Sequence, residues 1–320
     1  MKLFKRHTPG KHDVTSDTRR GLVDWLNMEE IFPPNDPKLR TIKQFYQNFK
    51  TRDFQHIPKL LTNDVEFTIN GRAGTVPLAG SYRGKEAIKT YLKGFCDSIS
   101  QGQITFQFNL VDGDMVNTHV QIVAKVPSSG KSFDLEFVYN WTLNNEGKIK
   151  SLFLYYDTNS WYQAFQAGGA DHIEDLKGNM NFTVKKLSFD PLQSLKDTYD
   201  AFNRGAIPEI LEKLDDQFLF ILKGDPGIPF EGIYRGKDGF LRFLNNLKGA
   251  ATYTGVPVNK FFVVQGNRID AHVVEELKCL ATGKLFRAEI VQAWIISDDN
   301  KLLEFKSYND QYEVVEAFKP

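Results

Sequence analysis

The 320-residue chain predicts an α+β protein built as two tandem copies of one unit, each with three helices packed on a long-stranded antiparallel sheet that, if strongly curved, closes around a conical pocket. Three observations carry this reading: an internal repeat, the order of elements within each copy, and the alternation along the long strands. Residues 77–85 read Pro-Leu-Ala-Gly-Ser-Tyr-Arg-Gly-Lys and residues 229–237 read Pro-Phe-Glu-Gly-Ile-Tyr-Arg-Gly-Lys, so Pro77 recurs as Pro229 at a spacing of 152. At a spacing of 153, Tyr46 pairs with Tyr199, Phe67 with Phe220, His119 with His272, Trp141 with Trp294 and Asp157 with Asp310. Chance does not hold register over such a length.

The elements follow in order. Residues 1–36 form an appendage in which Leu22, Trp25, Leu26 and Ile31 fall near helical spacing, so a helix is expected from Thr18 to Phe32, stopped by Pro33-Pro34. The first unit spans 37–168: a helix over 38–50, a short helix at His56-Ile57-Pro58, a strand over 64–69, the repeat phrase as a turn, and a helix over 85–98. Strands are then expected over 103–110, 116–126, 132–143 and 149–156. Along the second of these, His119, Gln121, Val123 and Lys125 alternate with Val120, Ile122, Ala124 and Val126, the period-2 pattern of a sheet with two unlike faces. Residues 169–187 read as a linker, and the second unit repeats the plan over 188–320.

Composition narrows the function classes. Forty Lys and Arg balance forty Asp and Glu, which removes the bulk electrostatic argument for nucleic acid or an anionic membrane as partner. Cys96 and Cys279 are too few for a disulfide framework, and no P-loop, HExxH, GxSxG or CxxC pattern occurs, so neither metal nor nucleotide cofactor is expected. The basic N-terminus lacks an apolar stretch, no run is long enough to span a bilayer, and a cytoplasmic protein is the expectation. Twenty-six Phe is a heavy aromatic load, which means bulky cores or cavities lined with rings.

The order helix, helix, strand, P-x-x-G-x-Y-R-G-K turn, helix, strands, ending in Tyr155-Tyr156-Asp157, resembles the SnoaL-like branch of the nuclear-transport-factor-2-like superfamily in both copies. That resemblance implies a cone fold used by isomerases, polyketide cyclases, epoxide hydrolases, ligand carriers and adaptors, so fold alone does not choose an activity. It also implies that two copies in one chain act as a covalent pseudo-dimer, with further homo-oligomerisation left open. The ketosteroid isomerase set is absent at the matching positions, which hold Phe45 and Thr198, Ile69 and Leu222, and Tyr139 and Gln292. The epoxide hydrolase set is absent too: its last-strand aspartate falls on Leu154 and Ser307, and Glu275 is the nearest acid.

SnoaL-type cyclases carry an acid/base aspartate near the end of the last strand, which the resemblance places at Asp157 and Asp310, with His119 and His272 as partners. The local alternative is that each aspartate caps the helix that follows it, which needs only local geometry. His119 runs in phase with Gln121 and Lys125, which points it to a polar face away from the pocket. The rings expected around the cones are Phe45, Phe49, Phe67, Tyr91, Trp141 and Tyr155 in the first copy, and Phe202, Phe220, Phe243, Trp294 and Tyr308 in the second. The function expected is binding of a small apolar or aromatic molecule in one or both cones, with cofactor-free acid/base chemistry of the isomerase or cyclase kind. The alternative is a noncatalytic ligand carrier or an interaction scaffold.

Overall fold

A computed structural model describes residues 23–167, 184–222 and 224–320. The expected linker up to residue 183 and the start of the expected N-terminal helix lie outside the described residues. Two sheets form, each wrapped around its own apolar core.

The first sheet has the order β1-β4-β5-β6-β7-β2-β3, with β1 Val23–Leu26, β2 Leu61–Ile69, β3 Gly80–Arg83, β4 Ser100–Asp112, β5 Met115–Lys125, β6 Ser132–Leu143 and β7 Ile149–Tyr156. The second has the order β10-β12-β13-β14-β8-β9, with β11 also paired to β12; here β8 is Leu214–Leu222, β9 Gly232–Arg235, β10 Ala251–Tyr253, β11 Val258–Gln265, β12 Arg268–Cys279, β13 Leu285–Ile296 and β14 Leu302–Asn309. Ladder register matches across the two sheets. Phe106 opposes Val120 and Phe108 opposes His119 across a bulge, just as Asn259 opposes Val273 and Phe261 opposes His272 across another. Such bulges bend and twist the ladder, which curls each sheet into a cone.

Helices close each cone. In the first unit they are α2 Pro37–Lys50, α3 Lys85–Ser98 and α4 Thr158–Phe165, with a 3₁₀ turn at Ile57–Leu60; in the second they are α5 Pro191–Asn203, α6 Ile207–Lys213, α7 Gly236–Ala250 and α8 Gln311–Phe318. The same start signal nucleates α2 and α5. Asp36 accepts from the Lys38 and Leu39 amides at 2.8 and 3.2 Å, Asp190 accepts from those of Leu192 and Gln193 at 2.9 and 3.3 Å, and a proline follows each cap.

The N-terminal expectation is corrected. Instead of one helix to Phe32, Val23–Leu26 runs parallel to β4 as strand β1, and Met28–Ile31 makes a single helical turn, α1. The open edge of β4 offers backbone partners that outweigh a weak helical pattern, and Asn27 at φ 62° breaks any continuous helix.

The outer faces of the two sheets meet through paired contacts. The Val111 amide donates to Gln265 Oε1 at 3.0 Å, and the Val264 amide to Asp112 Oδ2 at 3.2 Å, which is the same contact made in both directions. Val138, Tyr155, Val291 and Tyr308 form a buried cluster between the sheets, as do Phe108, Leu110 and Val263. Among the described residues no helix is long and apolar enough to cross a membrane.

Candidate functional site

A cavity of about 130 Å³ lies inside the second cone. It is of the order of the ~150 Å³ void that accommodates a single benzene ring in an apolar core. Alternation places its lining: Val273, Glu275 and Leu277 on β12, Phe286, Ala288, Ile290, Gln292 and Trp294 on β13, and Phe305, Ser307 and Asn309 on β14 all point inward. Phe202, Phe220, Phe243 and Trp294, expected as lining rings, do line it. Phe220 stacks on Phe305 at 4.3 Å, and Trp294 meets Phe305 edge-on at 4.6 Å.

Within this apolar wall runs one chain of hydrogen bonds whose direction is set by chemistry. The Trp294 indole can only donate, and does so to the Tyr199 hydroxyl at 2.9 Å. Tyr199 then donates to Gln292 Oε1 at 2.6 Å, which obliges Gln292 to turn its amide NH₂ toward Glu275 Oε1 at 3.3 Å. The Tyr253 hydroxyl lies 3.5 Å from the other carboxylate oxygen, a weak contact. Glu275 is the one carboxylate among the lining residues, which include no Lys, Arg or His. Burial pushes its pKa up to about 7, with Tyr253 opposing. Glu275 is half-buried and lines the cavity. Beside Gln292 in the β13–β14 ladder, the buried Ser307 hydroxyl also faces the cavity, without a hydrogen-bond partner among the described residues. A carboxyl poised near neutrality in a wall of rings can take or give a proton on a small bound molecule.

The four expected catalytic residues lie elsewhere. His119 and His272 sit between the two sheets: His119 Nε2 is 2.7 Å from Asp270 Oδ2, and the Tyr155 hydroxyl is 2.8 Å from His272 Nδ1. Their strand phase turns them outward, as the in-phase polar neighbours indicated, and burial pulls the His272 pKa down against the opposing pull of Glu289. Asp157 caps α4, accepting from the Ser160 amide at 2.9 Å. Asp310 occupies the matching place before α8, where its carboxylate accepts from the Thr158 hydroxyl of the first unit, and burial raises its pKa to about 6.

The expected first-copy rings do not line the cavity. Phe45, Phe49, Phe67, Tyr91 and Trp141 pack on one another in the core of the first unit, with Phe45–Trp141 at 5.1 Å and Phe67–Trp141 at 6.0 Å between ring centres. Tyr155 and Tyr308 point out of their cones into the cluster between the sheets, because each stands one residue out of phase with the inward set. The residues that sequence reading missed are Gln292, Tyr199, Tyr253 and Ser307 as companions of Glu275. A signal was present: the copies differ at several inward positions of the sheet. By ladder register Glu275, Gln292, Ser307 and Asn259 correspond to Ile122, Tyr139, Leu154 and Phe106.

No curated protein matches the chain. Among solved structures, an NTF2-like protein from Burkholderia xenovorans LB400 is 22% identical over 40% of this chain and 95% of its own, with a TM-score of 0.36. A Mycobacterium tuberculosis protein in complex with estradiol-17beta-hemisuccinate is 16% identical over 39% and 97%, with a TM-score of 0.34. A putative SnoaL-like polyketide cyclase from Jannaschia sp. CCS1 is 12% identical over 42% and 94%, with a TM-score of 0.36. The family match falls on the first unit and not on the cavity: residues 42–152 match the SnoaL-like domain.

Proposed function

We propose that the second cone binds a small apolar or aromatic molecule and that Glu275 moves a proton on it, without a cofactor, in chemistry of the isomerase or cyclase kind. The observation that carries this reading is the single carboxyl among the residues lining a cavity of rings, held by Gln292 and left with a weakly engaged oxygen. With no basic side chain among the lining residues, the ligand that fits is neutral or cationic, since an anion would be desolvated without compensation. The first cone serves as a scaffold. The reciprocal contacts between the outer sheet faces support the pseudo-dimer reading, because a two-fold interface repeats each contact in both directions. The two cysteines are free, which suits a cytosolic protein.

The test is α-hydrogen exchange of small cyclic ketones in D₂O, followed by NMR. The expected result is catalysed exchange that rises with an inflection near pH 7, as Glu275 becomes the carboxylate base. In Glu275→Gln the exchange is lost while ligand binding is kept. A carrier is the second reading, favoured by the lack of a second carboxyl in the cavity to pass the proton on. Binding with no exchange at any pH selects it.

A further inference from the structure

The first cone is filled in part by a side chain from outside its own repeat. Trp25 of β1 lays its indole against Tyr46, Phe49 and Phe106, with ring centres 6.1, 5.9 and 5.8 Å away. The matching positions in the second unit are Tyr199, Phe202 and Asn259, and all three line the cavity. The helix match is set by the turn that ends each helix, where Arg52 and Gly205 both take positive φ and Asp53 and Ala206 donate to Asn48 and Ala201. The place where Trp25 lies in the first unit is therefore part of the empty space in the second.

Where it is described, from residue 184 on, the chain leading into α5 packs Leu187 and Phe189 on the second core, and neither is among the residues that line the cavity. This stretch runs beside the β11–β12 hairpin, where the Lys185 amide donates to Asn267 Oδ1 at 2.8 Å. The stretch that matches the β1-paired part of β4 is interrupted between β10 and β11, and Val256 in that break and Val258 at the start of β11 are 69% and 58% exposed. Trp25 is thus an internal stand-in for a ligand: a planar aromatic ring, seated edge-on against a tyrosine and a phenylalanine at the mouth of a cone.

We infer that the second cone takes a planar aromatic ring of about indole size, seated between α5 and β11 against Tyr199, Phe202 and Asn259. This rests on the cavity being a ligand site and names the class of ligand. Asn259, standing where the first unit has Phe106, gives the ring a polar neighbour, so a ring bearing an N–H or hydroxyl at its edge suits the seat better than a bare hydrocarbon.

Indole and cyclohexanol are the probes, followed by saturation-transfer NMR and titration calorimetry on the full chain. Indole is expected to bind once per chain, and Asn259→Phe, which restores the ring of the first unit, is expected to weaken it by about tenfold or more through overpacking. Trp25→Ala vacates the equivalent seat and is expected to raise the stoichiometry from one to two. If that variant does not fold, Asn259→Phe, checked for a native melting transition, decides alone. Indole binding unchanged by Asn259→Phe overturns the inference, because the ring then sits elsewhere. Binding of cyclohexanol without indole overturns the ring while leaving the cavity reading in place. Binding of neither probe removes both.

Discussion

The two cones share register, turns and helix caps, yet the second holds a cavity where the first packs rings on one another. Where the second has Glu275, Gln292, Ser307 and Asn259, the first has Ile122, Tyr139, Leu154 and Phe106, and its ring cluster is completed by Trp25 from β1. Every one of these differences replaces a polar group by apolar or aromatic bulk. The two units share a backbone plan and its cap signals, which each needs in order to fold, and differ at the inward positions. One core is tuned for packing density, and the other gives up packing to hold a carboxyl beside an empty space.

The comparison breaks first under exchange of residues. Ile122→Glu puts a carboxyl into a core where the wild-type side chain is 1% exposed and no Gln292 equivalent waits, so it should cost roughly 4 kcal/mol or more, or prevent folding. The reverse change, Glu275→Ile, removes a buried carboxyl from a site with room for a branched side chain and should be neutral or stabilising at neutral pH. Chemical denaturation of the two variants side by side reads both. Equal costs would mean that the two cones are equally packed.

Next comes pH. Glu275 has its folded pKa raised from 4.5 to about 7, so the folded state holds a proton that the unfolded state loses above pH 4.5. Its share of stability is complete below the unfolded pKa and is lost as pH rises to about 7. Glu275→Gln, which cannot ionise, should match wild type near pH 4 and exceed it by about 3 kcal/mol at pH 8. Asp310, raised to about 6, adds its own slope to both proteins, so the difference between them is the reading. Melting curves across that range check it, and parallel profiles would show that Glu275 is not buried as an acid.

The fold was legible because its signals are local and doubled. Asp36-Pro37 and Asp190-Pro191 each start a helix, Lys85–Ser98 forms a helix at the expected bounds, and Ser132–Leu143 and Ile149–Tyr156 are strands at the expected bounds. The site was legible only in part. Period-2 phase turned His119 away from the pocket, and four of the five rings expected in the second copy, Phe202, Phe220, Phe243 and Trp294, line the cavity while Tyr308 does not. The partnership of Glu275 with Gln292 joins side chains of neighbouring strands, and that of Tyr199 with Gln292 joins a helix to a strand across the cone; no sequence period encodes either. The swap of Trp25 from helix to strand has the same origin, since the edge of β4 is a tertiary partner.

The smallest effect bears on which carboxyl does chemistry. Asp157 ends its strand as the acid of a cyclase would, but its side chain accepts from the Ser160 amide and hydroxyl, which is the work of a helix cap. Removing a cap of this kind costs about 1 kcal/mol. Asp157→Ala should therefore lower the melting temperature slightly and leave both indole binding and proton exchange in the second cone unchanged, since Asp157 is not among the cavity's lining residues. The informative failure is a variant that melts like wild type, binds ligand and no longer exchanges protons: chemistry would then belong at the strand end shared by the two units, and the carboxyl lining the second cone would be a binding group alone.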